Sequence, residues 1–319
     1  MASSVLLSVD TVLLLLGVVA LYVGAELLVR AASRLAIGFG VRAAVVGVTV
    51  VAFATTAPEL AVALLSGFSY STDLGIGAIV GSNIANIGLV LGISALVRPL
   101  DVDEGVLVRH VPFMVAAAAL LVLLGMDGRL GAFDGVVLLA VLAVFTGYLL
   151  YRIRASRPDA IPVEEVDVDG VNTVSARDVA LLLAGLVLLL VGSRWLIQGG
   201  QSVLQAYGFD ERFVGLTVLA FGTSLPELAA SIVSAVKGES QFSIGNVVGS
   251  NIYNVLAVLG VLSVLVPVGV PVETLAFDFP ALVAFTVVGV ALMAYGRTVS
   301  RADGAILVVG YLAFFSLLL

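Results

Sequence analysis

At 319 residues, with 61% hydrophobic and only 12% charged side chains and a mean hydropathy of +1.19, the chain lies far outside the range of soluble domains and reads as an integral membrane protein. The absence of cysteine excludes disulfides, thiol chemistry, iron–sulfur clusters and thiolate zinc sites, and the single histidine, His110, excludes a multi-histidine metal centre. The net charge of −7 comes largely from loops, and the composition implies a lipid bilayer as surroundings with no nucleic acid or protein partner.

Apolar stretches long enough to cross about 30 Å of hydrocarbon recur from end to end, so the first cannot be dismissed as a cleaved signal peptide. Ten are expected, at roughly 8–29, 43–66, 74–97, 107–125, 131–151, 178–200, 213–236, 242–267, 276–296 and 303–319. Period-2 alternation of the barrel type is absent, which leaves helices. Near the inner end of the first span, Glu26 and Arg30 are four apart and read as a pair. The second carries FATTAPEL (53–60) and the third GSNIAN (81–86). His110 precedes Pro112 by two residues, a pattern that suits a helix start. After the fifth span comes a short polar stretch, 152–177, whose Asp159, Glu164, Glu165, Asp167 and Asp169 read as a solvated linker. Arg194 and Trp195 in the sixth span suit an outer interface. The seventh carries FGTSLPEL (221–228), the eighth GSNIYN (249–254), and Asp278 precedes Pro280 as His110 precedes Pro112. With the N-terminus outside, twelve Lys and Arg fall on the inner side, from Arg30, Arg34 and Arg42 through Lys237 to Arg297 and Arg301, while only Arg129 and Arg212 fall outside. That positive-inside bias places both termini outside.

The chain repeats itself at an offset of 168. Residues 47–66 match 215–234 at 11 of 20 positions, and 75–94 match 243–262 at 11 of 20, without a gap. Each half holds five spans, an odd number, so the second half enters the membrane from the opposite side. The expected fold is all-α, two inverted five-helix repeats at 1–151 and 178–319 around the linker 152–177. This is the ground plan of secondary transporters that alternate access around a central site.

The paired motifs supply the chemistry. Pro58 has no N–H to give the carbonyl of Ala54, and in hydrocarbon a released carbonyl is tolerated only where something else satisfies it. Thr55 and Thr56 precede Glu59 by four and three residues and share its helix face. The second repeat offers Thr223, Ser224, Pro226 and Glu227. Ser82 and Asn86, like Ser250 and Asn254, are four apart and add neutral oxygens, while Gly81 and Gly249 allow close backbone approach. Asn83 and Asn251 lie on another face and read as bridges between helices. Small residues, hydroxyls and prolines alone serve as packing glue or kinks. Two intramembrane glutamates in matched surroundings do not, because each costs about 2.5–3.5 kcal/mol to insert. Two carboxylates, hydroxyls and carbonyls make a hard-cation site suited to Ca²⁺, with Na⁺ as a mutually exclusive occupant.

The motifs AFATTAPEL…GSNIAN and AFGTSLPEL…GSNIYN, with the five-plus-five plan, resemble over essentially the whole chain the sodium/calcium exchanger family, in its prokaryotic form without a regulatory domain. The resemblance implies an antiporter, not an enzyme, in which Na⁺ entry drives Ca²⁺ out and the long first and sixth spans slide. It implies Glu59 and Glu227 as principal Ca²⁺ ligands and backbone carbonyls of Ala52, Thr55, Ala220 and Thr223. It further implies Thr56, Ser82, Ser224 and Ser250 as hydroxyl ligands for Na⁺, and Asn86 as an amide ligand. Some members carry an aspartate where this chain has Asn254, and the change bears on the number of Na⁺ ions and on proton dependence. No cofactor is implied beyond the transported ions. A Ca²⁺/H⁺ antiporter using the same glutamates is the nearest alternative, followed by a K⁺-requiring exchanger, a cation channel and an intramembrane hydrolase. A prokaryotic inner membrane is the expected location.

Overall fold

The computed structural model describes residues 9–39, 41–57, 59–60, 63–64, 72–155, 175–206, 222 and 224–318. Apolar sequence with internally satisfied backbone gives helices almost throughout: α1 (Val9–Gly38), α2 (Ala43–Thr55), α3 (72–97), α4 (Glu104–Gly125), α5 (Ala132–Ala155), α6 (Ala176–Ala206), α7 (Leu225–Val236), α8 (Ser240–Leu265), α9 (Thr274–Ala294) and α10 (Arg301–Leu318). Seven helical stretches among the described residues are long and apolar enough to cross a membrane, and α2 and α7 are shorter apolar helices. The rest of the spans expected at 43–66 and 213–236, with Pro58, Ala220 and Thr223, lies partly outside the described residues, as does most of the linker. The first helix overshoots its expected end at 29 and runs to Gly38. Its last turns are held by polar partners: Glu26 pairs with Arg30 (3.2 Å) and Lys237, and Ser33 Oγ donates to Glu239 Oε1 (3.2 Å).

The centre of the molecule is α3 and α8. Protein buries 78% and 83% of their most apolar windows, against 22–39% for the other long spans, so these two are surrounded by helices and the others face lipid. One apolar core unites α3 and α8 with α4, α5, α9 and α10. A second joins α1 and α6 to α2 and α7 through Leu28, Val29, Val51, Leu189, Ala230 and Val233.

Four two-residue strands finish the helix ends. β1 (Leu100–Asp101) pairs antiparallel with β4 (Thr298–Val299), and β2 (Arg129–Leu130) with β3 (Val268–Gly269). Gln241 Nε2, at the start of α8, donates to the carbonyl of Asp101, just beyond the end of α3 (3.3 Å). The two central helices therefore run antiparallel, and the ladders that follow them lie at opposite ends. The α1–α6 pair is antiparallel too. A Cβ on Gly17 would meet Gly192 O at 2.9 Å, and one on Gly24 would meet Gly185 O at 2.8 Å. Gly17 and Gly185, like Gly24 and Gly192, are 168 apart, so the crossing maps onto itself when the halves are exchanged.

Ion pairs gather on one face, among them Arg34–Asp178 (3.5 Å), Arg42–Asp103 (3.0 Å) and Arg297–Glu104 (3.0 Å). Arg98 reaches Val236 O on the same face, and Arg301 reaches Val97 O. His110 and Asp278, expected at helix starts, lie instead inside α4 and α9, each just before the stretch whose first turn holds Pro112 or Pro280.

Candidate cation site

Glu59 follows the end of α2 and Glu227 lies in the first turn of α7, while Ser82, Asn86, Ser250 and Asn254 lie on α3 and α8. Gly249 lets α8 touch α2, since a Cβ there would lie 2.5 Å from Val48 O and from Ala52 Cβ. The corresponding positions opposite Gly81, residues 216 and 220, lie outside the described residues. Asn86 and Asn254 each begin a π-helical segment, Asn86–Leu91 and Asn254–Leu259, and a third, Gly47–Val51, leads into Ala52. Such wide turns re-aim the following side chains and occur often at functional sites. Nothing in the apolar residues that follow the two asparagines marks them in the sequence.

Glu59 and Glu227 are almost completely buried, at 2% and 0% exposure, and close enough for their charges to act on each other. The repeat relates two sets of four buried residues, and hydrogen bonds join the members of the first. In the first, Ser82 Oγ donates to Glu59 Oε1 (3.4 Å) and shares a hydrogen bond with Ser224 Oγ (3.1 Å), and Asn254 Nδ2 donates to Ser82 Oγ (3.2 Å). Exchanging the repeats turns Glu59, Ser82, Ser224 and Asn254 into Glu227, Ser250, Thr56 and Asn86. That second set is equally buried, yet no hydrogen bond joins its side chains among the described residues.

Across both sets, seven buried oxygens have no hydrogen-bond partner among the described residues: Thr56 Oγ1, Glu59 Oε2, Asn86 Oδ1, both oxygens of Glu227, Ser250 Oγ and Asn254 Oδ1. Buried polar atoms are normally paired, and leaving one unpaired costs about 1–3 kcal/mol. A cluster of unpaired acceptors fits a cation. No group of three or more His, Cys, Asp or Glu forms among the described residues, which leaves two carboxylates to balance the charge.

Ala52 O keeps its helical bond from Thr56 N (2.9 Å), so any role as a ligand falls to its second lone pair. Thr55 lies beside Glu227, and its one hydroxyl proton can go to Ala52 O (3.3 Å) or to Asn246 Oδ1 (3.2 Å). Asn83 bridges the central helices, donating to Asn251 O (3.4 Å) and accepting from Asn254 Nδ2 (3.0 Å). Ala220 and Thr223 are outside the described residues.

Asn246 was not marked by the sequence reasoning. Its Nδ2 donates to Glu227 O (3.2 Å) and Ser231 Oγ (3.0 Å), tying α8 to the backbone of the glutamate. A signal was present. The repeat equivalents of Asn246 and Ser231 are Ala78 and Ala63, so this brace is a departure from internal symmetry at a site otherwise matched.

Comparison with known proteins accords with this geometry. The family model described as "Sodium/calcium exchanger protein" matches residues 9–151 and 178–319. The inner membrane protein YrbG of Escherichia coli K12 is 33% identical over 97% of this chain and 96% of its own length. The sodium/calcium exchanger MaX1 of Methanosarcina acetivorans is 27% identical over 97% and 98%. The solved structure of the sodium-calcium exchanger NCX_Mj soaked with zero Na⁺ and Ca²⁺ superposes with a TM-score of 0.82 at 28% identity, covering 97% of this chain and 99% of that one.

Proposed function

The chain belongs to the sodium/calcium exchanger family, a family of membrane transporters rather than of enzymes, and from that premise we propose that it exchanges Na⁺ for Ca²⁺ by alternating access at the site between α2, α3, α7 and α8. The observation that carries the reading is the set of seven buried oxygens without a hydrogen-bond partner among the described residues, drawn from both repeats, three from the two carboxylates and four from neutral side chains. Ca²⁺ takes six to eight oxygens, and two ionised glutamates neutralise it. Na⁺ on the hydroxyls and amides uses the same oxygens, so the two ions compete. Competition couples their movements, because burying two uncompensated carboxylates in a low-dielectric interior is costly and only a loaded site crosses easily.

In this reading Glu59 and Glu227 are the principal Ca²⁺ ligands, joined by carbonyls of Ala52, Thr55, Ala220 and Thr223. Thr56, Ser82, Ser224, Ser250, Asn86 and Asn254 hold Na⁺. The ten spans form two inverted five-helix repeats, 1–151 and 178–319, with both termini outside. Antiparallel α1–α6 and α3–α8 pairs support that plan, and the charged face fits the cytoplasmic side. The paired long helices α1 and α6 are the elements that move across the site. The bacterial relative YrbG, named an inner membrane protein, supports a prokaryotic inner membrane as location.

Protons on the two carboxyls would neutralise the same two buried charges, and this makes Ca²⁺/H⁺ exchange the second reading. Ca²⁺ uptake into proteoliposomes decides between them. Under an outward Na⁺ gradient at equal pH, Ca²⁺ should accumulate; under a pH gradient without Na⁺ it should not. Glu59→Gln and Glu227→Gln should each lower Na⁺-driven uptake at least about tenfold while the protein still folds, the size of losing a charge-assisted ligand. Normal uptake in either variant defeats the assignment.

A further inference from the structure

Proline 226 removes the donor that Gly222 O would receive in a continuous helix, four residues earlier. Within a membrane such a carbonyl needs another partner. It has one: Ser193 Oγ, on α6, donates to Gly222 O at 2.7 Å, and Ser193 is itself buried. One helical turn further along α6, Ile197 closes on the same residue. A Cβ on Gly222 would lie 2.4 Å from Ile197 Cδ1, so glycine is what lets α6 approach here. Gly222 stands two residues before Ser224, which bonds to Ser82, and five before Glu227.

The first repeat has no such grip. The equivalents of Ser193, Ile197 and Gly222 are Ala25, Val29 and Ala54. Alanine 25 has no hydroxyl to offer the carbonyl of Ala54, although Pro58 removes that carbonyl's helical donor in the same way. Valine is smaller than isoleucine, and alanine is larger than glycine. Two positions have therefore changed size in compensation, and one hydroxyl has appeared, only where α6 meets the second carboxylate segment.

We infer that Ser193 is a positioning residue of the transport site: it sets the break ahead of Pro226 so that Ser224 and Glu227 face the ligands of the first repeat. The inference rests on the cation-exchange reading above. It makes the two half-sites unequal, since the position of α6 is transmitted by a hydrogen bond to Glu227's segment, whereas Ala25, the equivalent of Ser193 on α1, has no hydroxyl to do the same.

The test compares wild type, Ser193→Ala and Ser193→Thr as full-length protein. In proteoliposomes under a Na⁺ gradient, Ser193→Ala should raise the KM for Ca²⁺ about three- to tenfold, the range of one neutral hydrogen bond, with maximal rate changed less than about twofold. Ser193→Thr, which keeps the hydroxyl, should restore the wild-type KM. In detergent, amide hydrogen exchange should rise over residues 224–228 in Ser193→Ala and stay unchanged along α8. An unchanged KM and unchanged exchange overturn the inference. So does failure of threonine to rescue, or a fall in Tm and rate with KM intact, which marks a purely structural hydroxyl. Should wild-type vesicles move no Ca²⁺ under either gradient, the functional reading fails, and the hydrogen-exchange comparison alone then decides whether Ser193 holds the break.

Discussion

Ser82 and Ser250 occupy equivalent places in GSNIAN and GSNIYN but different circumstances. Ser82 touches Glu59, Ser224 and Asn254, while Ser250 Oγ is buried without a partner among the described residues. Ser82→Ala should therefore cost about 1 kcal/mol or more of stability, by stranding the groups it joins. Ser250→Ala should leave stability within about 0.5 kcal/mol of wild type. Both should raise the Na⁺ concentration needed to drive half-maximal Ca²⁺ uptake, since both oxygens serve Na⁺ in the proposed site. Thermal unfolding in detergent followed by Na⁺ titration of uptake checks the pair; equal destabilisation by the two substitutions would refute the division of the site into a bonded and an unbonded half. The residue types were legible beforehand because a buried carboxylate is expensive and here appears twice in the same company. Which half forms hydrogen bonds was not, because identical GSN triplets carry no information about it. Asn246 escaped because a lone asparagine ahead of VVGSN looks like any polar helix residue until its neighbours Glu227 O, Ser231 and Thr55 are in place.

At the scale of elements, the α1–α6 pair depends on bare backbone. The Cβ built on Gly24 would lie 2.8 Å from both Gly185 O and Leu189 N, main-chain atoms that cannot swing aside. Gly24→Ala and Gly185→Ala should force the helices apart and destabilise the protein by about 1–3 kcal/mol, with a parallel loss of transport if this pair moves as one body. Gly147→Ala is the control. Gly147 is exposed on α5 with no atom within 4 Å of its virtual Cβ among the described residues, so alanine there should be neutral or add up to about 1 kcal/mol through helix propensity. Tm values for the three variants, measured with uptake rates, suffice. Hydropathy made the long helices readable, since about 20 apolar residues have few other fates. It misplaced the end of α1, whose last turns are polar yet held by Lys237 and Glu239 from the turn after α7. The two-residue ladders and the π-helical segments were invisible, the first too short for any period and the second written in apolar residues like those of the helices around them.

Across the whole molecule the symmetry is broken by charge. Lys237 and Glu239 tie α1 to the turn between α7 and α8 on the charged face, and their repeat equivalents are Ser69 and Ser71, which carry no charge. The face that holds the proposed cytoplasmic arginines thus has one ion pair and one hydrogen bond to α1 that the opposite repeat does not encode. Glu239 is half-buried, and that burial pushes its carboxyl above the ordinary value of 4.5, with the Ser33 hydroxyl and the Lys237 ammonium opposing the rise. A carboxyl raised in the folded state prefers to be protonated there, so its contribution to stability is fully present below the unfolded pKa and is lost as pH rises through the folded one. Glu239→Gln, which keeps the neutral form at every pH, should remove that part of the slope. Its Tm should match wild type near pH 4 and equal or exceed it at pH 7. If the tie also restrains α1, the variant should flatten the pH dependence of Na⁺-driven Ca²⁺ uptake over the same window, while Glu59 and Glu227, lying deep between α2, α3, α7 and α8, stay unaltered. A wild-type Tm that instead climbs from pH 4 to 7 by more than that of Glu239→Gln would mean that the attraction of Lys237 outweighs burial, and the ionic tie would then strengthen rather than loosen as the carboxyl ionises.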